Sequence, residues 1–278
     1  MKANEIEKHE IVATPIPALN EILGGGFPSR VIIEIAGPPA SGKTTLGLQF
    51  IAQAQRMGRP CYYADAERAI DFEAFATNIG VDCTKLEYDK QDYAEALLNN
   101  LIDWLDGSDD KKNPKKAHPN SVIIVDAVGA LHGREEAEKD MEGRTIGIQS
   151  RMIALFCRKL APIIDRRNAI LILINHLYID PTSPVPVHKS SGGAKLDYHK
   201  GLALWLKNAF GHAPKKNADG TKTIKYIEAE IKNKAKYSGA FDGRKVILEL
   251  VQKKGFVGEY VTAPDPKKRG PKPKSNPS

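Results

Sequence analysis

Apolar positions in this chain fall into short, nearly unbroken runs, separated by longer stretches in which they recur every three or four residues. The runs are 31–36, 61–66, 121–125 and 169–174. Rich in Ile, Val and Leu, with little polar alternation, they predict strands buried on both faces, as in a parallel sheet covered by helices. The intervening stretches 43–57, 70–79, 94–105 and 146–166 have helical spacing. Strand and helix in alternation predict a doubly wound α/β sheet with right-handed crossovers. Later, 202–206, 223–231 and 245–250 read as sequential strands parted by the turn-rich NADG and FDG. They are expected to extend the same sheet antiparallel.

Two stretches have no apolar period. Residues 107–120, GSDDKKNPKKAHPN, read as a polar surface insertion, and beyond Val261 come five prolines and the cluster KKRGPKPK. The division expected is a core over 1–262 and a basic, Pro-rich, disordered tail over 263–278. Charge sharpens this: 41 Lys and Arg against 34 Asp and Glu leave +7. Seven bases against two acids from Lys253 onward hold five of those units, which leaves +2 for the rest. A polyanionic partner is implied, through a solvated tail rather than a basic face. That tail reads equally as an electrostatic tether or as a solubilising end.

Cys61, Cys83 and Cys157 are widely spaced and form no CxxC pair, which excludes a disulfide framework and a zinc knuckle and suits reduced thiols in a cytoplasmic chain. The charged start, MKANEIEKHE, does not read as a signal peptide, and no apolar run is long enough to span a membrane.

One segment carries explicit chemistry. Gly37, Pro38, Pro39, Ala40, Ser41, Gly42, Lys43 and Thr44 fill the pattern G-x-x-x-x-G-K-[ST], directly after a predicted strand and before a predicted helix that continues with Thr45. In that context backbone N–H groups and the helix N-terminus surround phosphates, the lysine reaches the β and γ oxygens, and Thr44 ligates Mg²⁺. Asp126, closing SVIIVDA, is the acid expected to hold the metal; a strand-end or capping aspartate is the alternative. Glu67, ending CYYADAE, is placed to orient and deprotonate water, or else is an ordinary exposed acid.

PIPALNEILGGGFP, GKTTLGLQFIAQAQ, DAERAIDFEAFATNIGVD and VDAVGALHGREEAEKDMEGRTIGIQSRMIALFCRKLAPIID together resemble the ATPase core of RecA-type recombinases, over about residues 11–260. Phage members look nearer than bacterial RecA, because INH stands where RecA has INQ. The resemblance implies ATP and Mg²⁺ as cofactors. It makes Glu67 the catalytic glutamate and Asp71 the acid that recognises the adenine amino group. The family's aromatic adenine platform falls on Ala74, so Phe72 or Phe75 would have to replace it. His176 takes the position of the glutamine that senses the γ-phosphate, and Lys232 and Lys234 match the paired lysines that reach a neighbouring subunit's γ-phosphate. Residues two apart on a strand share a face, which agrees with that role; solvated edge lysines are the alternative.

The resemblance also implies two DNA-carrying loops. In the first, residues 133–147, Ile146 is the apolar wedge between bases, and Arg151 and Arg158 on the following helix contact phosphates. Seven residues apart, these arginines lie on one helix face. In the second, 180–200, Lys189, Ser190, Ser191, Gly192 and Gly193 correspond to the family's glycine-bearing DNA segment, with Lys195 and Lys200 adding charge. Pro181, Pro184 and Pro186 stiffen it. The implied function is a DNA-stimulated ATP hydrolase that binds single-stranded DNA as a filament or ring, pairs it with homologous duplex DNA and exchanges strands. An annealing or mediator protein that uses ATP as a switch is the alternative, with a hexameric helicase ranked after it. Residues 9–14 read either as an edge strand donated to a neighbour or as an internal strand.

Overall fold

A computed structural model describes residues 8–68, 71–107, 115–134, 148–179, 184, 187–190, 193–216, 220, 223–235 and 243–261. The chain enters through β1 (Ile11–Val12), which pairs antiparallel with β2 (Phe27–Pro28) around helix α1 (Pro17–Leu23). The segment expected near 9–14 is therefore an internal strand. Pro17 starts α1, where its missing N–H costs nothing, and Gly24 ends it in the left-handed region. Gly26 lies against the Val12 backbone, where any Cβ would overlap it, which accounts for the GGG turn.

Alternating strands and helices follow: β3 (Ile32–Gly37), α2 (Lys43–Arg56), β4 (Cys61–Asp65), α3 (Phe72–Ile79), β5 (Leu86–Asp89), α4 (Ala94–Asp106), β6 (Val122–Asp126), α5 (Ile148–Arg166) and β7 (Ile170–Ile179). After them come β8 (His188–Ser190), α6 (Gly193–His199), β9 (Lys200–Asn208), β10 (Lys215–Lys216), β11 (Thr223–Ala235), β12 (Lys245–Val251) and β13 (Gly255–Val261). The main sheet runs β13-β12-β11-β9-β3-β7-β6-β4-β5, with β8 beside β7 and β10 beside β11.

Side chains alternate across the sheet, so it divides two cores. Ile33, Ile35, Tyr63, Ile124, Ile172, Ile174, Leu204 and Ile227 share one with α1 and α2. Ile32, Tyr62, Val125, Leu171 and Leu173 share the other with α4, α5 and Leu196 of α6. The mainly parallel α/β sheet with an antiparallel extension is as expected, with one correction. Strand β9 joins β3 in parallel, and the antiparallel part begins only at β11. The crossover from β7 returns the chain to the lower end of the sheet before β9, and a buried apolar run reads the same in either direction. The polar insertion is also partly anchored: His118 stacks on Trp104, with centroids 4.4 Å apart. The three cysteines are free. Residues 263–278 lie outside the described set.

Candidate active site

The sharp bend after β3 is set by backbone. Ala40 and Gly42 take positive φ, 57° and 88°, and Gly42 lies so close to the Phe256 ring that a Cβ would collide with it. The bend delivers Lys43, buried, as the first residue of α2. Its Nζ donates to the carbonyls of Gly37 at 3.0 Å and Pro38 at 2.9 Å. Burial holds its pKa below the ordinary lysine value, against the opposing charges of Asp126 and Glu67.

At the next residue, the Thr44 hydroxyl donates to Asp126 Oδ2 at 2.6 Å, and the buried Tyr63 hydroxyl donates to the same oxygen at 2.7 Å. Burial raises the Asp126 pKa, an effect only partly offset by these two hydrogen bonds. Its other oxygen, Oδ1, is buried with no hydrogen-bond partner. An orphaned carboxylate oxygen beside a threonine hydroxyl fits a hard divalent cation. Among the described residues no group of three or more His, Cys, Asp and Glu could hold a metal unaided. That donor set suits Mg²⁺, which keeps waters and phosphate oxygens as ligands.

Glu67 follows β4, fixed by donation of the Ala66 and Glu67 N–H groups to the Asp126 carbonyl at 2.8 and 3.1 Å. Its carboxylate stands 3.6 Å from His176 Nε2, with both side chains more than a third exposed. His176 lies in register with Gly37 on the adjacent strand. Lys43, Thr44, Asp126, Glu67 and His176 thus gather at the carboxyl ends of β3, β4, β6 and β7, where open parallel sheets bind ligands.

Beside this cluster lies a cavity of about 320 Å³, lined among others by Thr45, Phe75, Ile79, Leu250, Val251 and Gly255. Phe75 is the ring that faces it. Phe72 packs instead against Tyr63 and Tyr88, at 4.6 and 4.5 Å between centroids. Asp71 precedes α3, exposed, and its side chain caps nothing. Sequence reasoning missed the wall of this cavity. Gln49 of α2 donates to the Phe256 carbonyl at 2.9 Å and accepts its N–H at 2.8 Å, which clamps β13 to α2.

Other expected residues lie further out. Lys232 is partly exposed on β11, 3.2 Å from Glu230. Its ammonium and that of Lys207 lie 5.8 and 5.1 Å from the Trp205 ring. The strand register is irregular between Ile231 and Ala235, and the Lys234 side chain lies outside the described set. Arg151 and Arg158 are both exposed on α5. Lys189 and Ser190 lie in β8, opposite Tyr178 and Leu177, and Gly193 opens α6. Ile146, Ser191 and Gly192, with the Lys195 side chain, fall outside the described residues. Lys200 is a correction. Its side chain is 5% exposed and paired with Glu34 and Asp197, so it offers no charge to an external polyanion.

A family model described as the RecA N-terminal domain matches residues 1–237. The chain belongs to the RecA family. Protein RecA of Wolbachia pipientis subsp. Culex pipiens (strain wPip) is 34% identical over 240 residues, 83% of this chain and 63% of the relative. Protein RecA of Desulforapulum autotrophicum is 34% identical over 238 residues, 82% of this chain and 64% of the relative. Protein RecA of Ehrlichia chaffeensis is 33% identical over 273 residues, 94% and 69%. The chain therefore spans less than two thirds of the first two RecA proteins. The N-terminal domain model ends before β12 and β13, which carry the Leu250–Gly255 side of the cavity, whereas the Ehrlichia chaffeensis match, over 94% of the chain, extends into them. No described helix is long and apolar enough to cross a membrane.

Proposed function

We propose that this chain is a Mg²⁺-dependent ATP hydrolase stimulated by single-stranded DNA, which assembles on that DNA and promotes its pairing and strand exchange with homologous duplex. The observation that carries the reading is the orphaned Asp126 Oδ1 beside Thr44, within the same cluster as Lys43 and the Glu67–His176 pair. Residues 37–45 wrap the phosphates with backbone N–H groups. Thr44 and Asp126 would hold Mg²⁺, which would supply positive charge to offset the negative charge developing on the phosphates. Lys43 donates to the γ-phosphate in a site dry enough to strengthen the contact. Glu67 orients the attacking water and accepts its proton. His176 donates to a γ-oxygen, and its distance from Glu67 allows the two to respond together.

The base enters the cavity by Thr45, stacks on Phe75 in place of the expected ring at Ala74, and offers its amino group to Asp71. Lys232 and Lys234 reach the γ-phosphate of an adjoining subunit, so the active enzyme is an oligomer. DNA is held by Ile146, Arg151 and Arg158, and by Lys189, Ser190, Ser191, Gly192 and Gly193, through wedge and phosphate contacts indifferent to sequence. The test is ATP hydrolysis with and without oligo(dT), alongside a strand-exchange assay. Single-stranded DNA is expected to raise the wild-type rate many-fold, Lys43→Ala to abolish hydrolysis, and Glu67→Gln to bind nucleotide and DNA but lower the rate about 10²-fold or more. A wild-type rate indifferent to DNA overturns the reading.

A further inference from the structure

Glu34 lies in the middle of β3 with no exposure, on the face whose other occupants include Ile32, Leu173, Phe156, Cys157 and Leu196. A carboxylate in such a layer is held there by its partners. Lys200 Nζ donates to Glu34 Oε2 at 2.5 Å, and Asn175 Nδ2 donates to Oε1 at 2.9 Å. Both chains of contact lead outward. Lys200 also pairs with Asp197 Oδ1 at 2.5 Å, on α6, where Asp197 is half exposed. Asn175 Oδ1 accepts the backbone N–H of His176 at 2.9 Å, and the His176 ring faces Glu67 across 3.6 Å. A continuous polar path thus runs from the last turn of α6 through the sheet to the ATP-side cluster.

Stability does not account for it. A buried ion pair is commonly replaceable by apolar groups at no loss, and where such a pair serves a purpose its best-attested role is to specify one arrangement. Here the arrangement specified is that of α6 relative to His176. Lys200 sits at the junction of α6 and β9, so a shift of α6 must either carry Lys200 off Glu34 or drag Glu34 and Asn175 with it. Charged hydrogen bonds in a low-dielectric layer make the first course expensive.

We propose that Glu34 and Lys200 are positioning residues that transmit the state of the segment before α6 to His176, and the reverse. This rests on the reading above, that the segment meets DNA and that His176 meets the γ-phosphate. Coupling between two sites is reciprocal. DNA bound at the segment therefore raises nucleotide affinity by the same factor as nucleotide raises DNA affinity, and the factor depends on this path.

Equilibrium binding of fluorescent oligo(dT) with and without the slowly hydrolysed analogue ATPγS gives that factor directly. Two variants bracket the path. Asp197→Asn removes the charge at its exposed end and leaves the core pair intact. Glu34→Gln with Lys200→Met removes both buried charges and keeps an acceptor for Asn175. Each is expected to bind oligo(dT) alone and ATPγS alone within about twofold of wild type, while the coupling factor falls about fivefold or more. The backbone amide resonance of His176, shifted by oligo(dT) in wild type, is expected to stay in place in Asp197→Asn. If the double variant does not fold, Asp197→Asn decides alone. Wild-type coupling factors in the folded variants overturn the inference and leave the function untouched. A wild-type protein whose DNA affinity ignores ATPγS overturns the functional reading, and this inference with it.

Discussion

Asp126 answers to two opposed demands. In its proposed role as a metal ligand it must be ionised, yet burial pushes its pKa up and leaves Oδ1 without a partner. A carboxyl whose folded value lies above its unfolded value detracts from stability once ionised, at pH above the folded value, and that loss fades as pH falls through it. Asp126→Asn is therefore expected to raise the melting temperature of the nucleotide-free protein near neutral pH by about 2–4 °C, for about 1 kcal/mol. The gain is expected to disappear in acid, where the wild-type carboxyl is already protonated. The same substitution is expected to end Mg²⁺-dependent hydrolysis. Calorimetry at two pH values with a parallel ATPase assay checks both; a destabilised variant at neutral pH would contradict the burial argument. The lowered Lys43 value reflects the same burial. Site residues are held in readiness at a cost to the fold, as electrostatic preorganisation requires.

Among the elements, the clamp between α2 and β13 hangs on the side chain of Gln49. Gln49→Leu keeps the volume but strips both hydrogen bonds from the Phe256 backbone, at a cost of about 2 kcal/mol. The expected result is a melting temperature lower by about 4–8 °C and weaker binding of ATPγS, because Leu250, Val251 and Gly255 form the cavity wall. Unchanged nucleotide affinity would show that this wall is not part of the base site. The clamp also marks where sequence legibility ends. The phosphate-binding pattern over residues 37–44 could be read because its residues are contiguous and its strand and helix have strong local periods. Asp126 and Glu67 were legible as acids closing apolar runs. Gln49 and Phe256 are 207 residues apart and Glu34 and Lys200 are 166 apart, and nothing local to either member announces its partner. The four-residue edge strand β5, mostly open to solvent, carries too little apolar signal to be read as a strand. The seven-residue α6 lay within what reads as a loop.

At the scale of the whole molecule, net charge gives a poor account of where an anion would bind. Lys200, counted as a free base in the sequence, lies inside the sheet, and Lys207 and Lys232 share Glu230. The described side chains of Lys200, Lys207 and Lys232 are each paired with an acid, so the proposed DNA contacts rest on placed groups rather than an overall field. The parallel placement of β9 sets Trp205 beside Ala36 at the end of β3, under the two ammonium groups, with its Nε1 buried and unpartnered. Under the proposed assembly, the indole becomes an optical gauge of subunit docking. If Lys232 leaves its ring for a neighbour's phosphate, the field across the indole falls, and emission must change colour or yield. In protein carrying Trp104→Phe, emission is expected to move when ATPγS, Mg²⁺ and oligo(dT) are added together, to revert on dilution, and to stay silent in Lys232→Gln. Assembly could then be timed, subunit by subunit, without attaching any label.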